Sequence, residues 1–313
     1  MAGRISKNSE IDAVFPISNR AAKSIDDQVY NVAKENLHIG LSKRAEYDKL
    51  KRENNGKITP HGKGQNTGFH SWDTYHKYKS EFQTFAHYCR AEFGVKDIHD
   101  IKSSMAVSFC QELGNLKYAK NTVNSFCSAI EKFGSFLKID FHADLQGYKK
   151  TEDYKALESK DTNTRAYSNP QNIIDTIGNA KAQFSAHLAL CYGLRISDAC
   201  HFRLDGDKIL FNSKNGMKTE KTLLPQDATR AADLVDGNGK YNLSTSTMKT
   251  CWVRACAANN VENTGFHGLR HTFCQNLHND LTSNKELSHQ EACLICSHEM
   301  NHSRPDITET YLR

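Results

Sequence analysis

The chain has 313 residues, 38% of them hydrophobic and 25% charged, with a formal net charge of +5. That length suits two domains with their own cores, and the mild basic excess is compatible with an anionic partner without requiring one. No run of about 18 apolar residues occurs, which argues against a membrane span; Met1 to Ser18 has no long apolar run of the kind a secretory leader carries, so a cytoplasmic location is expected.

Taken in order, residues 1–68 read as an N-terminal arm and linker, partly disordered. A helix from Ile25 to Leu37 has Val29 and Val32 as its apolar residues, a second from Lys43 to Arg52 is heavily charged, and Glu53 to Gly64 is rich in Gly, Asn and Lys. Residues 69–150 read as a compact helical unit. Tyr75, Tyr78, Phe82, Phe85, Cys89 and Phe93 recur at three- and four-residue intervals and mark one buried helix face. Ser103 or Ser104 could cap a helix through Phe109 and Leu113. Val123, Phe126, Ile130, Phe133 and Leu137 predict another, with Asn121 as its N-cap. Polar, charged sequence then sets in at His142, and residues 151–169 are expected to connect two domains.

The second domain, 170–313, opens at Pro170, a residue suited to a helix start. Ile173, Ile174 and Ile177, then Phe184, Leu188 and Cys191, predict two core-facing helices that end at Gly193. Lys208–Asn212 reads as a strand, Lys214-Asn215-Gly216 as a tight turn and Thr222–Pro225 as the return strand, because Asn-Gly between extended runs signals a hairpin. Asp236–Gly239 is a loop, and Ser244 or Thr245 starts a helix through Trp252 and Cys256. The fold class is thus mainly α with a small β-hairpin or sheet.

Ten cysteines sit among apolar neighbours and read as reduced core thiols. His289, Cys293, Cys296 and His298 are residue types that bind metal. Their spacing matches no standard zinc finger, and Cys293 and Cys296 fall on one helix face beside Leu294, so no metal is expected.

The last fifth of the chain carries the chemistry. Leu269, Phe273 and Leu277 predict a helix from Gly268, which puts His267, Arg270 and His271 on one face. Two imidazoles and a guanidinium make a poor core and a good oxyanion site. His302 and Tyr311 follow, nine residues apart.

These residues resemble the boxes of the tyrosine recombinase (phage integrase) family. His267-Gly268-Leu269-Arg270-His271 is similar to its His-x-x-Arg-His box. His302 to Tyr311 has the spacing of its last box, with Asn301 where Gly is usual. Gly193-Leu194-Arg195-Ile196-Ser197-Asp198 looks like its first box. The resemblance covers about residues 170–313, and the helices before it are similar to the family's core-binding domain.

The resemblance implies a helical core-binding domain and a mixed α/β catalytic domain that clamp a DNA duplex. It also implies a strand transferase acting through a 3′-phosphotyrosyl intermediate, with Tyr311 as nucleophile. Arg195 and Arg270 would grip the phosphate, His267 would act as general base and His302 as phosphate donor. Lys214, on the hairpin, would be the general acid, with Lys218 and Lys221 as rivals. Asp198 and His271 would support the site. No cofactor and no metal are implied. The implied partners are double-stranded DNA with paired recombination sites and, on it, a homotetramer that is monomeric when free. A DNA-bending accessory protein is a further implied partner, and no membrane is. The sequence runs only two residues beyond Tyr311, so a docking helix after the nucleophile is expected to be missing, with coupling through the arm or the Tyr311 segment. The integrase of a mobile element is the leading reading. A type IB topoisomerase-like enzyme, or a catalytically silent DNA-binding accessory protein, is the alternative. A zinc hydrolase fits worst, since the His box lacks the Glu of a zinc protease helix.

Overall fold

The computed structural model describes residues 21–159, 165–213, 218–302 and 305–313. The chain divides into two compact units, Met1–Asp161 and Thr162–Arg313.

The described part of the first unit is helical: α1 (Ala21–Glu35), α2 (Lys43–Glu53), α3 (Pro60–Gln65), α4 (Trp72–Phe93), α5 (Ser103–Asn115), α6 (Lys120–Leu137), α7 (His142–Tyr148) and α8 (Glu152–Lys155). The aromatic stripe of α4 enters the core, where Phe82 stacks on Phe133 of α6 with ring centroids 4.2 Å apart. Phe93, at the end of the stripe, is instead exposed. Gly94 ends α4 with φ 69, a left-handed cap that glycine adopts without steric cost.

Several expected boundaries are corrected. Described residues of the expected arm belong to this unit: Ile25, Val29 and Ala33 form a fully buried stripe, and Leu37 bridges to buried Phe69. The buried face is set by Ile25 and Ala33 with Val29, while Val32 is only partly buried. Lys132 of α6 ties down the end of α3 by donating to the carbonyls of Gly64 and Gln65. The expected connection at 151–169 begins as core: Tyr154 of α8 packs on Tyr148 and donates to Asn124. Helix α6 starts at Lys120 after Ala119, with no side-chain cap, so Asn121 is not its N-cap. Helix α5 likewise has no side-chain cap, and Ser103 bonds Asp144 instead.

The second unit contains α9 (Pro170–Asp175), α10 (Ala180–Tyr192), α11 (Ile196–Cys200), β1 (His201–Asp205), β2 (Lys208–Asn212), β3 (Lys218–Thr222), α12 (Pro225–Ala232), β4 (Lys240–Asn242), α13 (Thr245–Ala258), α14 (Gly268–Ser283), α15 (His289–Glu299) and a 3-10 turn, Pro305–Thr310. The strands form one antiparallel sheet in the order β3-β2-β1-β4. The return strand precedes the expected Thr222–Pro225 because it is the polar run Lys218–Thr222. That run pairs along its full length with β2, and backbone pairing fixes it where hydrophobic alternation is absent. Lys214-Asn215-Gly216 lies outside the described residues. Around the buried Trp252 of α13 the core gathers Tyr167, whose hydroxyl accepts from the indole at 3.0 Å. No described helix is long and apolar enough to cross a membrane.

Phe133→Ala is expected to destabilise the first unit by about 3–5 kcal/mol, the usual cost of a buried Phe truncation. Phe93→Ala should change stability by less than about 0.5 kcal/mol. Urea denaturation of both variants checks the assignment.

Candidate active site

Gly268 opens α14 with His267 at the N-cap, so His267, Arg270 and His271 lie within the first turn, on the face expected from the sequence. A Cβ at Gly268 would lie 2.4 Å from the Arg165 carbonyl and the Tyr167 ring, so only glycine lets the helix start this close to the chain entering the unit.

Arg270 is 1% exposed. Its guanidinium donates to the carbonyls of Gly193 and Met300 and, at 2.9 Å, to Nε2 of His302. Arginine has no acceptor, so His302 receives this bond with its Nε2 lone pair. The Nε of Arg270 is buried and has no partner among the described residues. Gly193 takes φ 64, and a Cβ there would meet the Phe273 ring at 2.6 Å, so glycine is needed to bring its carbonyl to Arg270. Asn301 takes φ 52 at the position where the resembling family has Gly, and Asn tolerates this left-handed conformation better than most residues.

Tyr311 is 7% exposed and framed by three imidazoles. Its hydroxyl lies 3.1 Å from Nε2 of His267 and 3.5 Å from Nε2 of His302. The His271 ring packs on the Tyr311 ring at 4.6 Å, and the Arg270 guanidinium lies 5.7 Å from the same ring. Backbone contacts fix the segment: Gln275 donates to the carbonyls of Tyr311 and Arg313, and Thr308 donates to the Cys293 carbonyl.

Arg195 precedes α11 and holds a loose ion pair with Asp198 at 3.9 Å. Asp198 is 2% exposed, and burial raises its carboxyl pKa against the opposing pull of Ser197, Arg195 and Arg270. Burial lowers His267 to about 4, assisted by His271, Arg270, Arg165 and Arg195. Burial also lowers His271 to about 4, with Arg165 and Arg270 assisting and a hydrogen bond to the Tyr311 backbone opposing. Both imidazoles are therefore neutral at pH 7, and the fixed positive charge sits on the arginines. A neutral His267 can accept the Tyr311 proton at Nε2.

The structure thus brings together His267, Arg270, His271, His302 and Tyr311, with Arg195 and Asp198 in the same electrostatic environment. Lys214 lies outside the described residues. Of its rivals, Lys218 opens β3 exposed, and Lys221 forms an ion pair with Glu299, the residue before Met300. Arg165 was missed by sequence reasoning. It adds positive charge beside both histidines and donates to the Thr264 carbonyl at 3.3 Å. It lies about a hundred residues before the His box in polar sequence, with no motif around it. The weighed metal set does not assemble: Cys296 is buried against the Cys274 carbonyl and His298 is exposed beside Glu299.

No protein-family model matches the sequence, and no curated protein matches it. Solved structures do. A lambda integrase dimer bound to a COC′ core site is similar with a TM-score of 0.50 at 14% identity, covering 86% of this chain and 77% of that one. The Tn1549 transposon integrase in complex with transposon right end DNA gives 0.51 at 15%, covering 87% and 95%. A lambda integrase tetramer bound to a Holliday junction gives 0.50 at 13%, covering 100% and 88%. The chain has the fold of the tyrosine recombinases to which these integrases belong.

The depressed histidines set a pH dependence of stability. Unfolded histidine titrates near 6.5 and the folded pair near 4, so between those values the unfolded chain binds more protons. Stability is expected to be full above pH about 6.5, to fall as pH drops towards about 4, and to level off below. Urea midpoints across that range, for wild type and His271→Asn, test this; an unchanged slope in the variant contradicts it.

Proposed function

We propose that this protein is a tyrosine site-specific recombinase that cuts and rejoins DNA strands, and that it is the integrase of a mobile element. The observation that carries the reading is the Tyr311 hydroxyl, within reach of His267 and His302 above the buried Arg270 guanidinium. The DNA complexes of the similar integrases, including a tetramer on a Holliday junction, support DNA as partner and a homotetramer as the working assembly.

In this mechanism the Tyr311 oxygen attacks a DNA phosphorus while His267 takes its proton. Arg195 and Arg270 stabilise the charge that builds on the non-bridging oxygens. An incoming phosphate oxygen supplies the acceptor that Arg270 Nε lacks. His302, now accepting from Arg270, turns to donate to the phosphate once an anion competes for that guanidinium. Lys214 protonates the departing 5′ oxygen, leaving a 3′-phosphotyrosyl bond and a free 5′ hydroxyl. The corresponding 5′ hydroxyl of the partner strand then attacks the phosphotyrosyl phosphorus, forming the new phosphodiester and releasing the Tyr311 oxygen, which regains a proton. Bond energy is conserved, so no cofactor enters.

Covalent capture tests the core of the reading. The protein is incubated with DNA spanning its own gene and flanks, then denatured, and the protein-linked ends are sequenced. Adducts at one short, partly inverted sequence are expected, and none with Tyr311→Phe. Adducts scattered without sequence preference would move the assignment to a topoisomerase, and tight duplex binding without any adduct would move it to an accessory protein. His267→Ala should slow adduct formation by about 10²–10⁴-fold. Because His267 is neutral down to about 4, the wild-type rate should not drop between pH 8 and about 6 through loss of this base.

The acid is assigned by leaving-group chemistry. Lys214→Ala is expected to block cleavage of ordinary DNA, and a 5′-bridging sulfur, which departs without a proton, should restore it. Rescue of Lys221→Ala but not Lys214→Ala would reassign the acid to Lys221.

A further inference from the structure

Helix α14, helix α15 and the 3-10 turn converge on a cluster of metal-binding side chains apart from the Tyr311 hydroxyl. His278, His289 and Cys293 each place a ligand atom within 4.8 Å of the others. His278 Nε2 is 3.0 Å from His289 Nδ1, and Cys293 Sγ is 3.6 Å from His289 Nε2. Glu309, on the 3-10 turn, places a carboxylate oxygen 2.8 Å from His289 Nε2 and 3.9 Å from Cys293 Sγ. Around a tetrahedral ion with bonds of about 2.0–2.3 Å, neighbouring ligand atoms lie about 3.3–3.6 Å apart. His289 faces His278 with Nδ1 but Cys293 and Glu309 with Nε2, and only one of its nitrogens can ligate a given ion, so side-chain rotation must close the His278, His289 and Cys293 atoms from within 4.8 Å to that spacing.

We propose that His278, His289, Cys293 and Glu309 form a binding site for a zinc-class divalent cation. Two imidazoles, a thiolate and one carboxylate are a borderline-soft donor set, unlike the all-oxygen shells of magnesium and calcium. Coordination of Cys293 forms the metal–sulfur bond and releases the thiol proton to solvent. Every donor comes from an element that holds Tyr311: α14 carries the His box, α15 receives the Thr308 bond through the Cys293 carbonyl, and Glu309 is two residues from the tyrosine. The ion would staple the nucleophile segment to its supporting helices. That consequence for cleavage rests on the recombinase reading; the binding does not.

Cobalt(II) is the probe. The full-length chain, stripped with a chelator and without DNA, is titrated with it. Saturation at one equivalent is expected, with tetrahedral d–d bands and a sulfur-to-cobalt charge-transfer band, both displaced by zinc. Cys293→Ser should lose the charge-transfer band, whereas Cys191→Ser, which removes an exposed thiol near His187, should retain it. His278→Gln, a milder change should Cys293→Ser fold poorly, should weaken binding at least tenfold. Absence of a stoichiometric charge-transfer band, or its persistence in Cys293→Ser, overturns the proposal. Neither result touches the DNA reading, which covalent capture decides separately.

Discussion

The burial of Arg270 is the constraint on which the site depends. A guanidinium out of water costs several kcal/mol unless its donors are met. Here the Gly193 carbonyl, the Met300 carbonyl and His302 meet donors on both terminal nitrogens, while Nε has no partner among the described residues. Those three acceptors come from two segments more than a hundred residues apart, so one side chain ties the turn before α11 and the end of α15 to the start of α14. Each acceptor needs an unusual backbone nearby: Gly193 at φ 64 against the Phe273 ring, and Asn301 at φ 52 directly after Met300. Backbone conformations of this kind persist where surrounding contacts over-determine them.

The same burial divides the chemistry. Desolvation and the neighbouring arginines keep His267 and His271 neutral, so the groups able to accept a proton are separate from the groups that carry fixed charge. A protonated His267 would meet positive charge from Arg270, Arg165 and Arg195 in a poorly solvated setting. The arrangement keeps fixed positive charge and a neutral proton acceptor side by side in one poorly solvated setting.

Much of this was legible in the sequence, for identifiable reasons. The His box and the Tyr311 segment are compact in sequence, and helical periodicity alone places His267, Arg270 and His271 together. The aromatic stripe of α4 and the β2 strand have strong local patterns and appear where they were read. What escaped has a weak local signal. Strand β3 is Lys-Thr-Glu-Lys-Thr, without hydrophobic alternation, and is held by pairing with β2. The α1 stripe is small, since Ala33 contributes a fully buried position that composition does not flag. Arg165 and His278 are single polar residues whose neighbours are brought to them by the fold, and no spacing rule reaches across such separations.

Tyr311 is held in place before any substrate is present. Gln275 and Thr308 fix its backbone, Met300 and Cys274 lie in the small core it joins, and imidazoles flank its ring. Preorganisation of this sort lowers the entropic cost of reaching a reactive geometry. It also means that an anion arriving beside the hydroxyl must displace something. The carbonyl bonds of Arg270 anchor the guanidinium to the backbone on two sides, whereas its bond to His302 joins two side chains. The His302 contact is therefore the least anchored of the three, and its loss would free an arginine N–H without disturbing the backbone.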